Sequence, residues 1–94
     1  MNNQGLPIVK DYVLLNQYGM HARPAALFVQ LASRFDADVL VEKDGNKVSG
    51  KSIMGLLTLA AGSGSTLRVT ATGPEAQQVH DELWILIGKK FGEE

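Results

Sequence analysis

Between Ile8 and Gln17 the chain reads IVKDYVLLNQ, dense in β-branched and aromatic side chains. It predicts a strand that Tyr18-Gly19 punctuates. The period then changes. From Ala22 to Phe35, the apolar residues Ala25, Phe28, Val29, Ala32 and Phe35 recur at spacings of three and four, which puts them on one face of a helix. Pro24 fits only the first turn of such a helix, where a missing N–H costs nothing. In ADVLVEKDGNKVSG, residues 37–50, Val39 and Val41 alternate with Leu40 and Glu42, and Asp44-Gly45 is a type I′ turn signal. That segment predicts a β-hairpin. A short second helix is expected over SIMGLLTLAA, residues 52–61, stopped by GSGS at 62–65. TLRVTAT, residues 66–72, predicts a fourth strand. Gly73-Pro74 opens a third helix, PEAQQVHDELWILIGKK, with a stripe of Ala76, Val79, Leu83, Leu86 and Ile87 and a stop at Gly88.

The predicted order is β-α-β-β-α-β-α. A tight central hairpin requires antiparallel pairing. The expected fold is α+β, an open-faced β-sandwich with a four-stranded antiparallel sheet and three helices on one face. The length, 94 residues, allows one domain, read here as spanning 1–94. A formal net charge of -1 gives no basic excess, so nucleic acid and anionic membrane surfaces are not favoured partners. With no cysteine, disulfides and thiolate metal sites are excluded, and two histidines far apart make a poor basis for metal binding. No cofactor and no metal are expected. MNNQGLPIVKD lacks the basic start and apolar run of a signal peptide, and no apolar stretch approaches a membrane span, so a cytoplasmic location is expected.

GNKVSGKS, residues 45–52, matches the phosphate-loop pattern G-x-x-x-x-G-K-[ST]. Such a loop must leave a strand and enter a helix directly, so that backbone N–H groups wrap the phosphates. Here Asp44-Gly45 is better explained as a hairpin turn, and NKVS continues as the returning strand. The usual metal-binding aspartate at the end of an apolar strand is also missing from TLRVTAT. The match is coincidental as a nucleotide motif.

GMHARPA, residues 19–25, has more chemistry in it. It places His21 where a loop joins the first helix. The first helical N–H groups have no intrahelical acceptor, and the helix dipole adds partial positive charge, which suits a phosphate. Arg23 offers a guanidinium fork for phosphoryl oxygens. The same field disfavours a protonated imidazole, so His21 is expected to be neutral and available as a nucleophile. The residues show no evident general base or metal for hydrolysis. A held phosphoryl group could wait for an acceptor, as in a carrier.

GMHARPAALFVQLASRFDADV and VSGKSIMGLLTLAAGSGSTLRVTATG together resemble the HPr family, the histidine-containing phosphocarriers of the bacterial phosphoenolpyruvate-dependent phosphotransferase system. The resemblance spans nearly the whole chain. It implies that His21 is phosphorylated on a ring nitrogen by enzyme I and passes the group to an enzyme IIA domain. Arg23 would stabilise the phosphoryl group and Pro24 would fix the start of the helix. The residue before a proline avoids helical geometry, which would start the helix at Pro24. The family pattern starts it at Ala22, with His21 as the cap. The protein would be a transfer intermediate in the phosphotransferase system and not an enzyme.

Ser52 precedes an apolar helix, a normal N-cap position where an added phosphate would meet free N–H groups. The resemblance makes it a regulatory serine for an HPr kinase/phosphorylase. Ile53, Met54, Leu56, Leu57, Leu59 and Ala60 cover roughly 220° of the second helix, more than a short surface helix needs for its core contact. Some of that surface is expected to face partners. The resemblance points to Ile53, Met54 and Leu57, with Met20 beside His21. A binding protein switched at Ser52 alone is the rival reading, which the intact HARP sequence opposes. His80 is read as a partly packed helix residue, and Trp84 and Ile85 as edge packing. Nothing in the sequence indicates an oligomer, so a monomer is expected.

Overall fold

The computed structural model describes residues 5–93. The expectation about the amino-terminal segment falls partly on residues 1–4, which lie outside the described residues. The elements follow the expected order: β1 (Ile8–Val13), α1 (Ala22–Ala32), β2 (Asp38–Lys43), β3 (Asn46–Ser49), α2 (Ile53–Thr58), β4 (Thr66–Thr72) and α3 (Ala76–Gly88). A short 3₁₀ turn, Lys90–Gly92, follows. The strands form one sheet in the order β1-β4-β2-β3, antiparallel at every pairing. Asp44 and Gly45 both take positive φ, 52° and 83°, as a type I′ turn demands.

The register decides which side chains meet. Tyr12 opposes Leu67, and Val69 opposes Val41, which in turn opposes Val48. Ala71 opposes Val39. These residues line one face of the sheet, and helices cover it with Ala25, Phe28, Leu31 and Ala32 of α1, Leu56 of α2, and Ala76, Val79, Leu83 and Ile87 of α3. The other face carries a row of alternating charge, Asp11, Arg68, Glu42 and Lys47, set side by side across all four strands. Arg68 meets Asp11 with two hydrogen bonds, at 3.0 and 3.4 Å, and this contact holds the Asp11 carboxyl below its usual range.

Three elements end earlier than the sequence pattern predicts. β1 stops at Val13, yet Leu14 still exchanges backbone bonds with the loop before β4, donating to Ser65 at 2.9 Å and accepting from Gly64 at 2.8 Å. The pairing continues while the regular ladder does not. α1 stops at Ala32, after which Arg34 bonds back to Leu31 and Phe35 to Ala32, a tightening from four-residue to three-residue turns. α2 stops at Thr58, because Ala60 turns left-handed at φ 50° and the chain dips to bury Leu59 and Ala61. α3, expected to open at Pro74 and to stop at Gly88, is helical over Ala76–Gly88, so only its start is later than expected.

His80, read from the sequence as a partly packed helix residue, lies deeper, at 1% exposure. Its Nε2 faces the Ile8 carbonyl at 2.8 Å, and a carbonyl only accepts, so Nε2 carries the proton. Nδ1 then accepts from the Tyr12 hydroxyl at 2.7 Å. Burial pushes the His80 imidazole below its ordinary value, against the pull of the Ile8 hydrogen bond, and pushes the Tyr12 hydroxyl up to about 12. Trp84, expected to pack at an edge, is 71% exposed.

Candidate functional site

His21 takes an extended conformation, φ -97° and ψ -169°, and Ala22 begins the helix, so His21 is the N-cap. The pre-proline rule is overridden at Arg23. Pro24 occupies the third helical position, where its missing N–H would have had no intrahelical acceptor, and it is buried. The His21 side chain makes no capping bond. The N–H groups of Ala22 and Arg23 therefore stay available to an anion.

The loop entering this helix is held by its own backbone. Gly19 sits at φ 66°, and a Cβ there would collide with the Ala61 carbonyl and the Gly62 backbone. Met20 donates its N–H to that same Ala61 oxygen at 2.8 Å, tying the loop to the segment that follows α2. The His21 N–H bonds the Gly19 carbonyl at 3.0 Å. The imidazole then lies at a cleft lined by Gln17, Tyr18, His21, Ala22, Arg23, Gly92 and Glu93. Tyr18 meets the ring edge-on, with centroids 6.2 Å apart.

Glu93 is the residue the sequence reading missed. Its Oε2 lies 2.9 Å from His21 Nε2, although the two are 72 positions apart. An ionised carboxylate only accepts, so Nε2 donates and carries the proton. In the Nε2–H tautomer the free lone pair is on Nδ1, which has no partner among the described residues. Phe91, buried at the 3₁₀ turn, anchors the chain that carries Glu93. No local signal marks Glu93, since an acidic residue after a glycine belongs to no motif or side-chain period that names its partner. Asn16 was also missed; its amide nitrogen reaches both Gly19 O at 2.7 Å and Glu93 Oε1 at 3.1 Å.

Arg23 is exposed at the same cleft and makes no ion pair among the described residues. His21 and Arg23 are thus brought together, while Ser52, Ile53, Met54 and Leu57 lie apart from the cleft on α2. Ser52 is an N-cap as expected: its Oγ accepts from the Gly55 N–H at 2.9 Å. Ser52→Ala is expected to cost about 1 kcal/mol, because that N–H loses its acceptor, and urea unfolding of the two proteins measures it. Ile53 is 41% and Met54 72% exposed, whereas Leu56 and Leu59 face the core. Leu57 is half-buried. Met20, expected on the docking surface, is instead in the core at 4% exposure, drawn inward by its backbone bond to Ala61.

An antiparallel sheet with helices on one face, presenting a histidine at the N-terminus of the first helix, is the frame of a phosphoryl-carrier protein. Residues 8–88 match the family described as PTS-HPr, the PTS HPr component phosphorylation site. The chain belongs to this family of phosphocarriers of the phosphotransferase system. It is 45% identical over 87 residues to the phosphocarrier protein HPr of Treponema pallidum, covering 93% of this chain and 99% of that one. It is 51% identical over 72 residues to the HPr-like protein Crh of Halalkalibacterium halodurans, covering 77% and 86%. The crystal structure of HPr-C-His from Thermoanaerobacter tengcongensis superposes with a TM-score of 0.89 at 44% identity, covering 93% and 98% of the two chains. HPr of that organism has also been solved as a dimer, with a TM-score of 0.74 at 45% identity, covering 87% and 94%. A monomer therefore does not follow from family membership. Among the described residues, no helix is long and apolar enough to cross a membrane.

Proposed function

We propose that His21 accepts a phosphoryl group from phospho-enzyme I and passes it to an enzyme IIA domain. The observation that supports this best is the hydrogen bond between His21 Nε2 and Glu93, at the cap of a helix whose first N–H groups are open. The Nδ1 lone pair attacks phosphorus, a P–N bond forms, and the bond to the donor breaks with its electron pair staying on the donor. The proton on Nε2 stays in place. Positive charge develops on the ring, opposite the Glu93 carboxylate. The phosphoryl oxygens gain the N–H groups of Ala22 and Arg23 and the Arg23 guanidinium. Pro24 fixes the geometry of that first turn. The reverse displacement delivers the group to the next acceptor, and no residue in this reading activates water, so the group persists between partners.

Ile53, Met54 and Leu57 of α2 supply apolar contact for both partners, the first two by their exposure. Phosphorylation of Ser52 by an HPr kinase/phosphorylase would add charge at the cap of that same helix, between the exposed apolar residues and an incoming partner. Membership of the phosphotransferase-system carriers supports placing this exchange in the cytoplasm.

Intact mass after incubation with enzyme I and phosphoenolpyruvate tests the reading. One acid-labile phosphoryl group is expected on the wild type and none on His21→Ala. A folded wild type that gains no mass, or a His21→Ala variant that still gains it, would sink the assignment. An acid-stable phosphate introduced by the serine kinase, absent from Ser52→Ala, is the corresponding result for Ser52.

A further inference from the structure

Asn16 lies just beyond β1 and is wholly buried. Its amide nitrogen spends both protons, one on the Gly19 carbonyl at 2.7 Å and one on Glu93 Oε1 at 3.1 Å. Its oxygen, Oδ1, is buried with no partner among the described residues. Turning the amide over would set Oδ1 against two acceptor oxygens, so the donor orientation is the one this site can hold. Stability alone does not account for a buried acceptor left unpaired. What the amide secures is the position of the Glu93 carboxylate. One oxygen of that carboxylate is fixed by Asn16 and the other meets His21 Nε2 at 2.9 Å.

We propose that Asn16 is a positioning residue for phosphoryl transfer: by clamping Glu93 it fixes the Nε2–H form of His21 and keeps the lone pair on Nδ1. The chain of contacts is a buried amide, a carboxylate and an imidazole. Which ring nitrogen carries the proton is set by the hydrogen bond the other end of the ring makes, and a carboxylate held on one side only would turn away into solvent. Glu93 follows the 3₁₀ turn and lies outside any helix or strand, so its own backbone gives it less restraint than a residue within a helix. The buried amide supplies that restraint. This role rests on the reading of His21 as the phosphoryl acceptor.

Two-bond proton–nitrogen spectra of histidine-labelled protein show which His21 nitrogen is protonated. In the wild type at neutral pH, the Nε2–H form is expected to dominate. Asn16→Ala should move both nitrogen signals toward the average of interconverting tautomers and slow transfer from phospho-enzyme I by roughly tenfold. In a Glu93→Ala background, most of that slowing should vanish, since Asn16 acts through the carboxylate. An unchanged His21 tautomer in Asn16→Ala, or a full undiminished slowing in the Glu93→Ala background, would overturn the proposal. If Asn16→Ala does not fold, Glu93→Ala alone decides, because retention of the Nε2–H form in that variant overturns it equally. The spectra need no phosphoryl donor. A protein with the expected tautomers that takes no phosphoryl group overturns the carrier reading and this role with it. A phosphorylated protein with indifferent tautomers overturns the role of Asn16 alone.

Discussion

Gly19→Ala is expected to lower stability by about 3 kcal/mol and to slow phosphoryl acceptance at His21 by tenfold or more. Two costs combine. An L side chain at φ 66° costs about 1–2 kcal/mol by itself. The added methyl would also strike the Ala61 carbonyl and the Gly62 backbone, so the loop must move away from the segment after α2. That movement stretches the bond from the Met20 N–H to Ala61 O and withdraws Met20 from the core. The Gly19 carbonyl, which accepts from both the His21 N–H and the Asn16 amide, moves with it. His21 is two residues along the same rigid path, so its ring shifts relative to the open N–H groups of α1. Urea unfolding and the rate of mass gain from phospho-enzyme I measure the two effects separately. A wild-type midpoint and rate would mean that the loop can leave Ala61 without consequence for the fold or the site.

His80→Ala is expected to cost about 2–4 kcal/mol at neutral pH. It empties a fully buried position, removes the donor to the Ile8 carbonyl and takes from the Tyr12 hydroxyl its Nδ1 acceptor, leaving only the His80 carbonyl at 3.2 Å. The pH dependence follows from the folded environment. Burial lowers the His80 value below 6.5, so as pH falls the unfolded chain takes up the proton first. The stability that His80 contributes is complete above about 6.5 and is lost as pH drops from there through the folded-state value. Wild-type urea midpoints should therefore fall on acidification across this window, and the His80→Ala midpoints should fall less. Equal slopes in the two proteins would show that the Tyr12–His80–Ile8 network does not discriminate between the protonation states.

Element type was legible wherever a side-chain period ran long enough to be counted. The helix faces of Ala25, Phe28 and Ala32, and of Ala76, Val79, Leu83 and Ile87, are the buried faces observed. Asp44-Gly45 specified its turn because positive φ at two successive positions leaves few residue choices. Element ends were less legible. α2 ends at Thr58 because Leu59 and Ala61 are both buried and a left-handed Ala60 lies between them, which helical spacing alone could not reveal. Met20 was misplaced for a related reason. Its position beside His21 says nothing about its direction, which the bond to Ala61 decides.

The sequence by itself determined the order of elements, the hairpin, the helix cap at Ser52, and the placing of His21, Arg23 and Pro24 at the start of a helix. All of these depend on residues within a few positions of one another, where turn chemistry and side-chain period act directly. Only the tertiary structure decided what surrounds His21. Asn16 and Glu93 are separated by 77 positions, and their meeting depends on the loop after β1 and the segment after the 3₁₀ turn coming together. The burial of His80 likewise depends on Tyr12 and Ile8, 68 and 72 positions away. Contacts of that range follow from the register of the sheet and the packing of helices on it, and a polar residue carries no local mark of the partner it will find.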